Sequence, residues 1–386
     1  MNKKAIAILG AIFLLIVGTL GFLIYSKYAA NKTSAPAPVP AAGSSASGTP
    51  DNTAVSQASS TPIASQPSGA VQLTADQVVS PALFYNGSGI AYFDKQGNLY
   101  QAALDSSSGQ LQLTNKKQLD IPAKAGITKI LWPQRSQDYI AQITDASGKI
   151  SWSYFNSTTQ TYTDLPPQVE AVSWLPNGTQ VMYIWVDNGK ATLNIGNPDT
   201  TNWQYLADMW ETDDALFVSP DGSQALYYET DATSTSNAIN SVTSDGKIWK
   251  GLVKSGFNLG ISWSPDGQKF LFGKKDINSQ SYQLWIYNMT SGEVKNLGLY
   301  TTPDKTTWAS DSNAIYAAVP ASGQAGSGNL TQDAFYRLDT TTLDKKQYSS
   351  GSTPLDGEDL FLTSAGDRLV FKNAQDGGLY YLDLSQ

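Results

Sequence analysis

An internal repeat that runs from residue 70 to the C-terminus is the feature that most constrains the fold of this chain. The clearest copy is Trp263–Gly267 (WSPDG) with Phe270, which gives an apolar anchor, a glycine four residues later and an apolar residue seven residues later. The same register, with glycine or serine at the fourth place, fits six further anchors: Tyr85, Trp132, Trp174, Val218, Trp308 and Leu362. Their plus-seven residues are Tyr92, Tyr139, Val181, Ala225, Ile315 and Leu369. Seven copies of one unit predict a repeat architecture.

The spacing of the anchors identifies the kind of repeat. Consecutive anchors are 47, 42, 44, 45, 45 and 54 residues apart, and the long last interval contains a glycine-rich insertion at 320–331. Each unit predicts short strands separated by turns, and the third strand ends in Asp or Asn in five units, as at Tyr287-Asn288. Four strands in about 40 to 45 residues are typical of a propeller blade. We therefore expect an all-β fold, a β-propeller with seven four-stranded blades.

The last blade predicts how the ring closes. Only 24 residues follow Leu362, which leaves room for three strands and not four. Val71-Gln72-Leu73 precedes the first blade and is placed to supply the missing outer strand. The alternative is an open stack of hairpins, but such a stack would leave long strand edges exposed to aggregation.

Three copies of the repeat resemble those of a known family. Trp263–Gly267, Val218–Gly222 and Trp174–Gly178 resemble the WD-like repeats of TolB-type β-propellers. The remaining copies depart from the pattern, at Tyr85, Trp132, Trp308 and Leu362. The resemblance covers residues 70–386 and implies a periplasmic partner protein without catalytic activity. This sequence departs from TolB in lacking its N-terminal globular domain and in having a predicted membrane anchor, so the partners of TolB are not carried over. No functional residue transfers either.

That N-terminal segment predicts a membrane anchor. Lys3 and Lys4 precede the uncharged stretch Ala5–Tyr25, which has about the ~20 residues that a helix needs to cross a bilayer. We expect residues 1–30 to form a cytoplasmic stub and a single transmembrane helix, with the N-terminus in the cytoplasm. The alternative is a cleaved signal peptide, but the apolar core of a signal peptide is shorter, about 7 to 15 residues.

The rest of the chain divides into a linker and the repeat domain. Residues 31–69 consist largely of Ala, Ser, Thr and Pro, which cannot bury enough apolar surface to fold. We expect a disordered linker there, followed by the propeller at 70–386. The sequence therefore predicts a single-pass protein of the cell membrane with its propeller outside the cytoplasm.

Composition excludes several kinds of chemistry. The chain has neither cysteine nor histidine, so it cannot use a thiolate nucleophile, a histidine base or an imidazole metal ligand. A formal net charge of -8 argues against nucleic acid as a partner. The Asp-Gly turns that follow the anchors are explained by backbone hydrogen bonding and positive φ, not by catalysis. We expect no catalytic residue, no cofactor site and no dedicated metal site.

One group of residues is a candidate binding site. Four residues before the anchors stand Pro81, Thr128, Glu170, Asp214, Leu259, Asp304 and Glu358, and four of these seven are acidic. Asp213 and Asp359 adjoin two of them. A propeller would bring these positions together at one mouth of its channel, where they could hold a cation such as calcium or a basic segment of a partner. The alternative is a solvated acidic rim, and Lys129 and Lys305 would weaken its field.

The predicted function is a non-enzymatic interaction or scaffolding module of the cell envelope, with an envelope protein or peptide as its partner. One alternative is a propeller that binds a small ligand or glycan through Trp203, Trp210 and Trp249, unless these side chains pack between strands. A second alternative is a carboxylate-based glycosidase in the channel, which would need two facing acids at a defined separation.

Overall fold

The structure is a computed structural model. It describes residues 69–84, 87–209, 214–230, 238–254, 258–275, 281–320, 329–348, 351 and 353–385, without the side chains of Asp214, Asn258 and Leu259. The predicted transmembrane helix, nearly all of the predicted linker and the anchor Tyr85 lie outside these ranges. Within them, no helix is long and apolar enough to cross a membrane.

The described residues form seven antiparallel sheets of four strands each, as the repeat predicts. The first strand of the chain is β1 (Val71–Thr74). Blades 1 to 3 consist of β2 (Val78–Leu83), β3 (Gly89–Asp94), β4 (Leu99–Asp105), β5 (Gln112–Gln118), β6 (Ile127–Leu131), β7 (Tyr139–Thr144), β8 (Ile150–Asn156), β9 (Thr161–Asp164), β10 (Val169–Trp174), β11 (Val181–Asp187), β12 (Lys190–Gly196) and β13 (Gln204–Met209).

Blades 4 to 6 also take four consecutive strands each. They consist of β14 (Asp214–Val218), β15 (Gln224–Glu229), β16 (Ile239–Thr243), β17 (Ile248–Val253), β18 (Asn258–Trp263), β19 (Lys269–Lys275), β20 (Tyr282–Asn288), β21 (Val294–Asn296), β22 (Thr306–Trp308), β23 (Ala314–Pro320), β24 (Asp333–Asp339) and β25 (Lys345–Tyr348). A short 3-10 helix, Pro303–Lys305, precedes β22. The insertion predicted at 320–331 separates β23 from β24, and most of it lies outside the described residues.

Blade 7 closes the ring. Its consecutive strands are β26 (Gly357–Leu362), β27 (Arg368–Asn373) and β28 (Leu379–Asp383), and β1 pairs with β28 as the fourth strand. Val71 lies opposite Tyr381 and Gln72 opposite Tyr380. This pairing confirms the predicted role of Val71-Gln72-Leu73.

The repeat register corresponds to one hairpin in each blade. Five anchors end the first strand and pair directly with their plus-seven residues, as Trp263 does with Phe270. All seven plus-seven residues have a relative exposure of 0%. The repeat is therefore a packing requirement, because these side chains build the seven apolar cores, one between each pair of neighbouring blades.

The turn after each anchor follows the predicted chemistry. In blade 5 the Asp266 carboxylate accepts a hydrogen bond from the Gln268 N–H at 3.0 Å, and Gly267 has a φ of +68°. Asp221 accepts an equivalent bond from the Ser223 N–H in blade 4, also at 3.0 Å. These aspartates are turn residues, as expected.

The anchor tryptophans make a contact that the sequence does not predict. The Trp174 indole N–H donates to the Leu131 carbonyl at 2.8 Å, and the Trp263 indole N–H donates to the Phe217 carbonyl at 3.0 Å. In both cases the acceptor lies in the first strand of the preceding blade. Each tryptophan therefore joins two blades by a hydrogen bond as well as by packing.

Candidate functional site

The first strands of the blades surround the axis of the propeller. β2 adjoins β6 and β26, β10 adjoins β14, and β22 adjoins β26, whereas the fourth strands are largely exposed. In five blades the pairing between the first and second strands shifts register near the start of the first strand. A bulge bends the strand and re-aims the side chain of the extra residue. Thr128 and Glu170 are such residues, and both are exposed to solvent.

The structure places the predicted acidic residues at or just before these strand starts. Glu170 is the second residue of β10, and Asp214 is the first residue of β14. Asp304 lies in the 3-10 helix before β22, while Glu358 and Asp359 lie in β26. Asp213 and the side chain of Asp214 lie outside the described part of the chain. The predicted mouth composed of all six acids therefore stays a prediction.

Asp359 has the most unusual surroundings of the predicted residues. It lies in the β26 bulge with a φ of +50°, a left-handed conformation that is uncommon for residues other than glycine. Water reaches its side chain, but protein atoms surround it closely. Because these protein atoms displace part of the water around the carboxyl, they raise the pKa of Asp359 above its ordinary value although the residue is exposed at the surface.

Charges from three blades act on this carboxyl. The Lys372 and Lys129 ammonium groups lower the pKa of Asp359, whereas the Glu358 and Asp304 carboxylates raise it. Lys129 belongs to blade 2, Asp304 precedes the first strand of blade 6, and the others belong to blade 7. The structure thus brings Asp304, Glu358 and Asp359 into one electrostatic cluster with two lysines.

Lys372 was not predicted as part of the site. It lies opposite Glu358 in the β26–β27 pairing, and its Nζ donates to Glu358 Oε2 at 2.9 Å. The repeat register identifies first-strand positions, and Lys372 lies on the second strand. Its pairing with Glu358 could only be found from the hairpin register.

Lys305 binds two aspartates of blades 6 and 7. Its Nζ donates to Asp333 Oδ2 at 2.8 Å, to Thr331 Oγ1 at 3.3 Å and to Asp356 Oδ1. Both aspartates are buried. Burial alone would lower the pKa of Lys305, but the two carboxylates more than offset this and raise it. The ammonium charge is therefore compensated inside the protein.

The Lys305 network fixes the 3-10 helix that carries Asp304. Thr331 donates its N–H to Asp356 Oδ2 at 2.8 Å, and the Gly357 N–H donates to Asp333 Oδ2 at 2.8 Å. Every carboxylate oxygen of the two aspartates accepts at least one hydrogen bond. The network ties the helix to blade 6 and to the residues that lead into β26, next to Glu358 and Asp359.

Metal ligation has little support in this region. Among the residues that the structure describes, no group of three carboxylates is close enough to hold a metal ion. The carboxylates at the mouth are spread over several blades.

Two of the three tryptophans considered for ligand stacking are exposed. Trp203 precedes β13 and Trp249 lies in β17, so both belong to the outer part of a blade and do not pack between strands. Their relative exposures are 61% and 51%. The Lys247 Nζ lies 4.4 Å from the centre of the Trp249 ring. Trp210 lies outside the described residues.

Comparison with known proteins supports the propeller fold but does not identify a function. No protein-family model and no curated protein matches the sequence. Oligogalacturonate lyase from Vibrio parahaemolyticus matches with 12% identity over 81% of this chain and 93% of that chain, at a TM-score of 0.57. The Cps50 (Swd1) β-propeller domain of Myceliophteria thermophila matches with 9% identity over 81% and 99%, at a TM-score of 0.55.

TolB is also among the similar structures. TolB from Acinetobacter baumannii has 16% identity over 77% of this chain and 79% of that chain, but the TM-score is 0.39. A TM-score this low does not support a specific relationship, so the kinship with TolB-type repeats stays a prediction. Identities this low support the propeller fold alone. The fold does not decide whether the chain is an enzyme, because a lyase is among the similar structures.

Proposed function

We propose that this protein is a non-enzymatic binding module of the cell envelope that holds a basic segment of a partner protein at the channel mouth. The observation that carries this proposal is the cluster around Asp359, to which Asp304 and Glu358 also contribute. A carboxylate that desolvation makes hard to ionise gains when a cation approaches, because the cation stabilises its charged form. Glu170 lies near the start of another first strand, β10, and is exposed to solvent.

A flexible basic segment fits this mouth better than a metal ion. The carboxylates come from several blades, and no three of the described ones are close enough to hold a metal ion. A peptide with several lysine or arginine side chains can satisfy carboxylates that are far apart, whereas one calcium ion needs six to eight oxygen ligands within about 2.6 Å. The partner is therefore proposed to be an envelope protein or peptide with a basic, extended segment.

The N-terminal part of the chain would place this module beside the membrane. We propose that Ala5–Tyr25 spans the cell membrane and that residues 31–69 act as a flexible tether. A chain of that length has a mean reach of about 35 Å. The tether would join the ring at β1, the outer strand of blade 7. It would therefore not be attached at the first strands, which surround the channel.

A carboxylate-based glycosidase is the second candidate function. The observation that favours it is the pair of adjacent carboxyls with different surroundings: burial raises the pKa of Asp359, while Lys372 binds Glu358 at 2.9 Å. Acid catalysis needs such a difference between two carboxyls. Release of reducing sugar from a polysaccharide by the native chain, lost in Asp359→Asn, would favour this function over binding alone.

The proposed function is tested by titrating the full-length chain with a fluorescent deca-lysine peptide and following anisotropy at low ionic strength. We expect binding that weakens steeply with salt. The variant Asp304→Asn/Asp359→Asn should weaken binding about tenfold or more, since each lost charge pair contributes of the order of 1 kcal/mol.

The matched control is Asp120→Asn/Glu293→Gln, which removes two exposed carboxylates near the outer strands of blades 1 and 5. It changes the net charge of the protein equally. If the control weakens the peptide as much as the mouth variant does, the attraction belongs to the acidic protein as a whole and the proposed site is wrong. The same conclusion holds if the native chain does not bind at low salt.

A further inference from the structure

A small pocket on the outer part of blade 3 has the composition of a ligand site. Its volume is about 230 Å³, and it lies away from the first strands that surround the channel. Six residues line it: Tyr183, Trp185, Thr192, Asn194, Thr200 and Trp203. Three are aromatic, three carry a hydroxyl or an amide, and none is charged.

The floor of the pocket is one face of the β11–β12 hairpin. Tyr183 lies opposite Asn194, and Trp185 lies opposite Thr192, so the four side chains share a face of the sheet. Asn194 is almost fully buried. Its amide NH₂ donates to the Thr192 carbonyl at 3.2 Å and to Thr192 Oγ1 at 3.1 Å, which fixes the orientation of the amide.

The wall of the pocket is Trp203, presented by a rigid loop between β12 and β13. The Asp199 carboxylate accepts bonds from the Thr201 N–H at 3.0 Å and from Thr201 Oγ1 at 2.6 Å. Thr200 and Asn202 have φ angles of +62° and +52°. Two non-glycine residues in this conformation within three positions are costly for a loop that only connects strands.

Close packing under the loop also indicates that Trp203 is held in a fixed position. A Cβ on Gly196 would lie 3.0 Å from the Trp203 Cα and 3.1 Å from the Thr201 carbonyl oxygen. The loop is therefore pressed against β12, and yet it holds the Trp203 indole 61% exposed. A large apolar side chain that is held in place by its backbone and exposed to solvent is preorganised to contact a ligand.

We propose that this pocket binds one pyranose ring of a neutral oligosaccharide. The apolar C–H face of a sugar ring stacks on an aromatic ring, and its hydroxyls pair with amide and hydroxyl groups, which are the two kinds of group that line the pocket. The volume is below the roughly 300–1,000 Å³ of sites for drug-sized ligands, so one ring fits better than a larger molecule. The pocket uses no residue of the channel mouth, so this proposal is independent of the basic-segment proposal.

The absence of charge among the lining residues predicts which sugars are rejected. A uronic acid would bring a carboxylate into a pocket whose six lining residues include no lysine or arginine to pair with it. Neutral sugars carry no such penalty. We therefore expect neutral disaccharides to bind and digalacturonate to bind much more weakly.

The test is a titration of the full-length chain, in a detergent without a sugar headgroup, with cellobiose, chitobiose, maltose and digalacturonate. Tryptophan fluorescence and saturation-transfer difference NMR report binding. We expect at least one neutral disaccharide to bind with a dissociation constant of about 1 mM, a free energy of about -4 kcal/mol. The variant Trp203→Ala should weaken it about tenfold or more, and Trp203→Phe should retain part of the affinity.

The matched control is Trp249→Ala, which removes a similarly exposed indole whose ring is already covered by the Lys247 ammonium group. This variant should bind the disaccharide as the native chain does. Melting curves check that Trp203→Ala stays folded. If no neutral disaccharide binds at about ten times the expected dissociation constant, or if Trp203→Ala binds as well as Trp249→Ala, the proposal is wrong.

Discussion

Asp359 combines two unfavourable features in one residue. Its backbone is left-handed, with a φ of +50°, and burial raises the pKa of its carboxyl. Because the folded-state pKa is higher than that of the unfolded chain, ionised Asp359 destabilises the fold. This cost is absent below the unfolded pKa of about 3.9, grows as pH rises and is complete above the folded pKa. Residues that oppose stability in this way are often retained for binding.

We predict that Asp359→Asn raises the melting temperature at neutral pH. Asparagine carries no charge and tolerates the left-handed conformation. The gain should shrink towards about pH 3, where aspartate is protonated in both states, and the part that persists measures the backbone effect. Thermal denaturation of both proteins across this range checks the prediction. Equal gains at both ends of the range would show that the charge of Asp359 contributes nothing.

Residues differ in how far the sequence could predict their roles. The seven plus-seven residues were predicted because one packing requirement recurs in every blade, and each copy strengthens the pattern. Asp304 and Glu358 were predicted because they share a register position, and Asp359 was predicted because it adjoins Glu358. Lys372 escaped prediction because it reaches the cluster through one hairpin pairing that no other copy repeats. The sequence pattern also could not place Asp359 in a left-handed bulge, because the bulge depends on how β26 pairs with β27.

Among the elements, the 3-10 helix Pro303–Lys305 depends most on charge. Lys305 joins the helix to two buried aspartates, Asp333 and Asp356, and its Nζ lies 2.8 Å from Asp333 Oδ2. Removing one partner of a buried ion pair leaves an uncompensated charge and costs about 3–5 kcal/mol. Because the pKa of Lys305 is raised in the folded state, the network stabilises the protein below the unfolded pKa of about 10.4. That contribution is lost only as pH rises through the folded value.

We predict that Lys305→Met lowers the free energy of unfolding by about 3–5 kcal/mol at neutral pH. Adding Asp333→Asn and Asp356→Asn should recover part of the loss, since neither side chain then carries a buried charge. The exposed residue Lys117 provides the control, and Lys117→Met should change stability by less than about 0.5 kcal/mol. Denaturant titrations measure all three. A loss no larger than that of the control would mean that the carboxylates are protonated or hydrated without Lys305.

The strands were easier to predict than their irregularities. Turn residues and alternation located the hairpins, and the third strands end at the predicted residues, such as Asp105 and Asp339. The bulges in the first strands were not predicted, since they depend on how five inner strands fit around the axis. The 3-10 helix was also missed, because Lys305 binds partners more than 25 residues away in sequence.

At the scale of the whole molecule, closure of the ring rests on four residues at its N-terminal edge. β1 (Val71–Thr74) pairs with β28, whose residues Leu379 and Tyr381 are buried. Val71 and Leu73 pack against the core shared by blades 7 and 1. Without β1, one edge of β28 would be unpaired and its buried side chains would be less covered. An uncovered edge of this kind pairs readily with other chains.

We predict that a chain that begins at residue 76 is less stable than one that begins at residue 69, although they differ by only seven positions. Loss of the contacts of the half-buried side chains of Val71 and Leu73 alone should cost about 2 kcal/mol. The shorter chain should also aggregate during heating, because β28 then presents a free edge. Thermal melting and light scattering measure both effects.

A chain that begins at residue 63 is the control and should match the chain that begins at residue 69, since it only adds residues before β1. If the chain that begins at residue 76 melts at the same temperature as the longer ones and stays monomeric, the ring does not need β1, and blade 7 is stable with three strands.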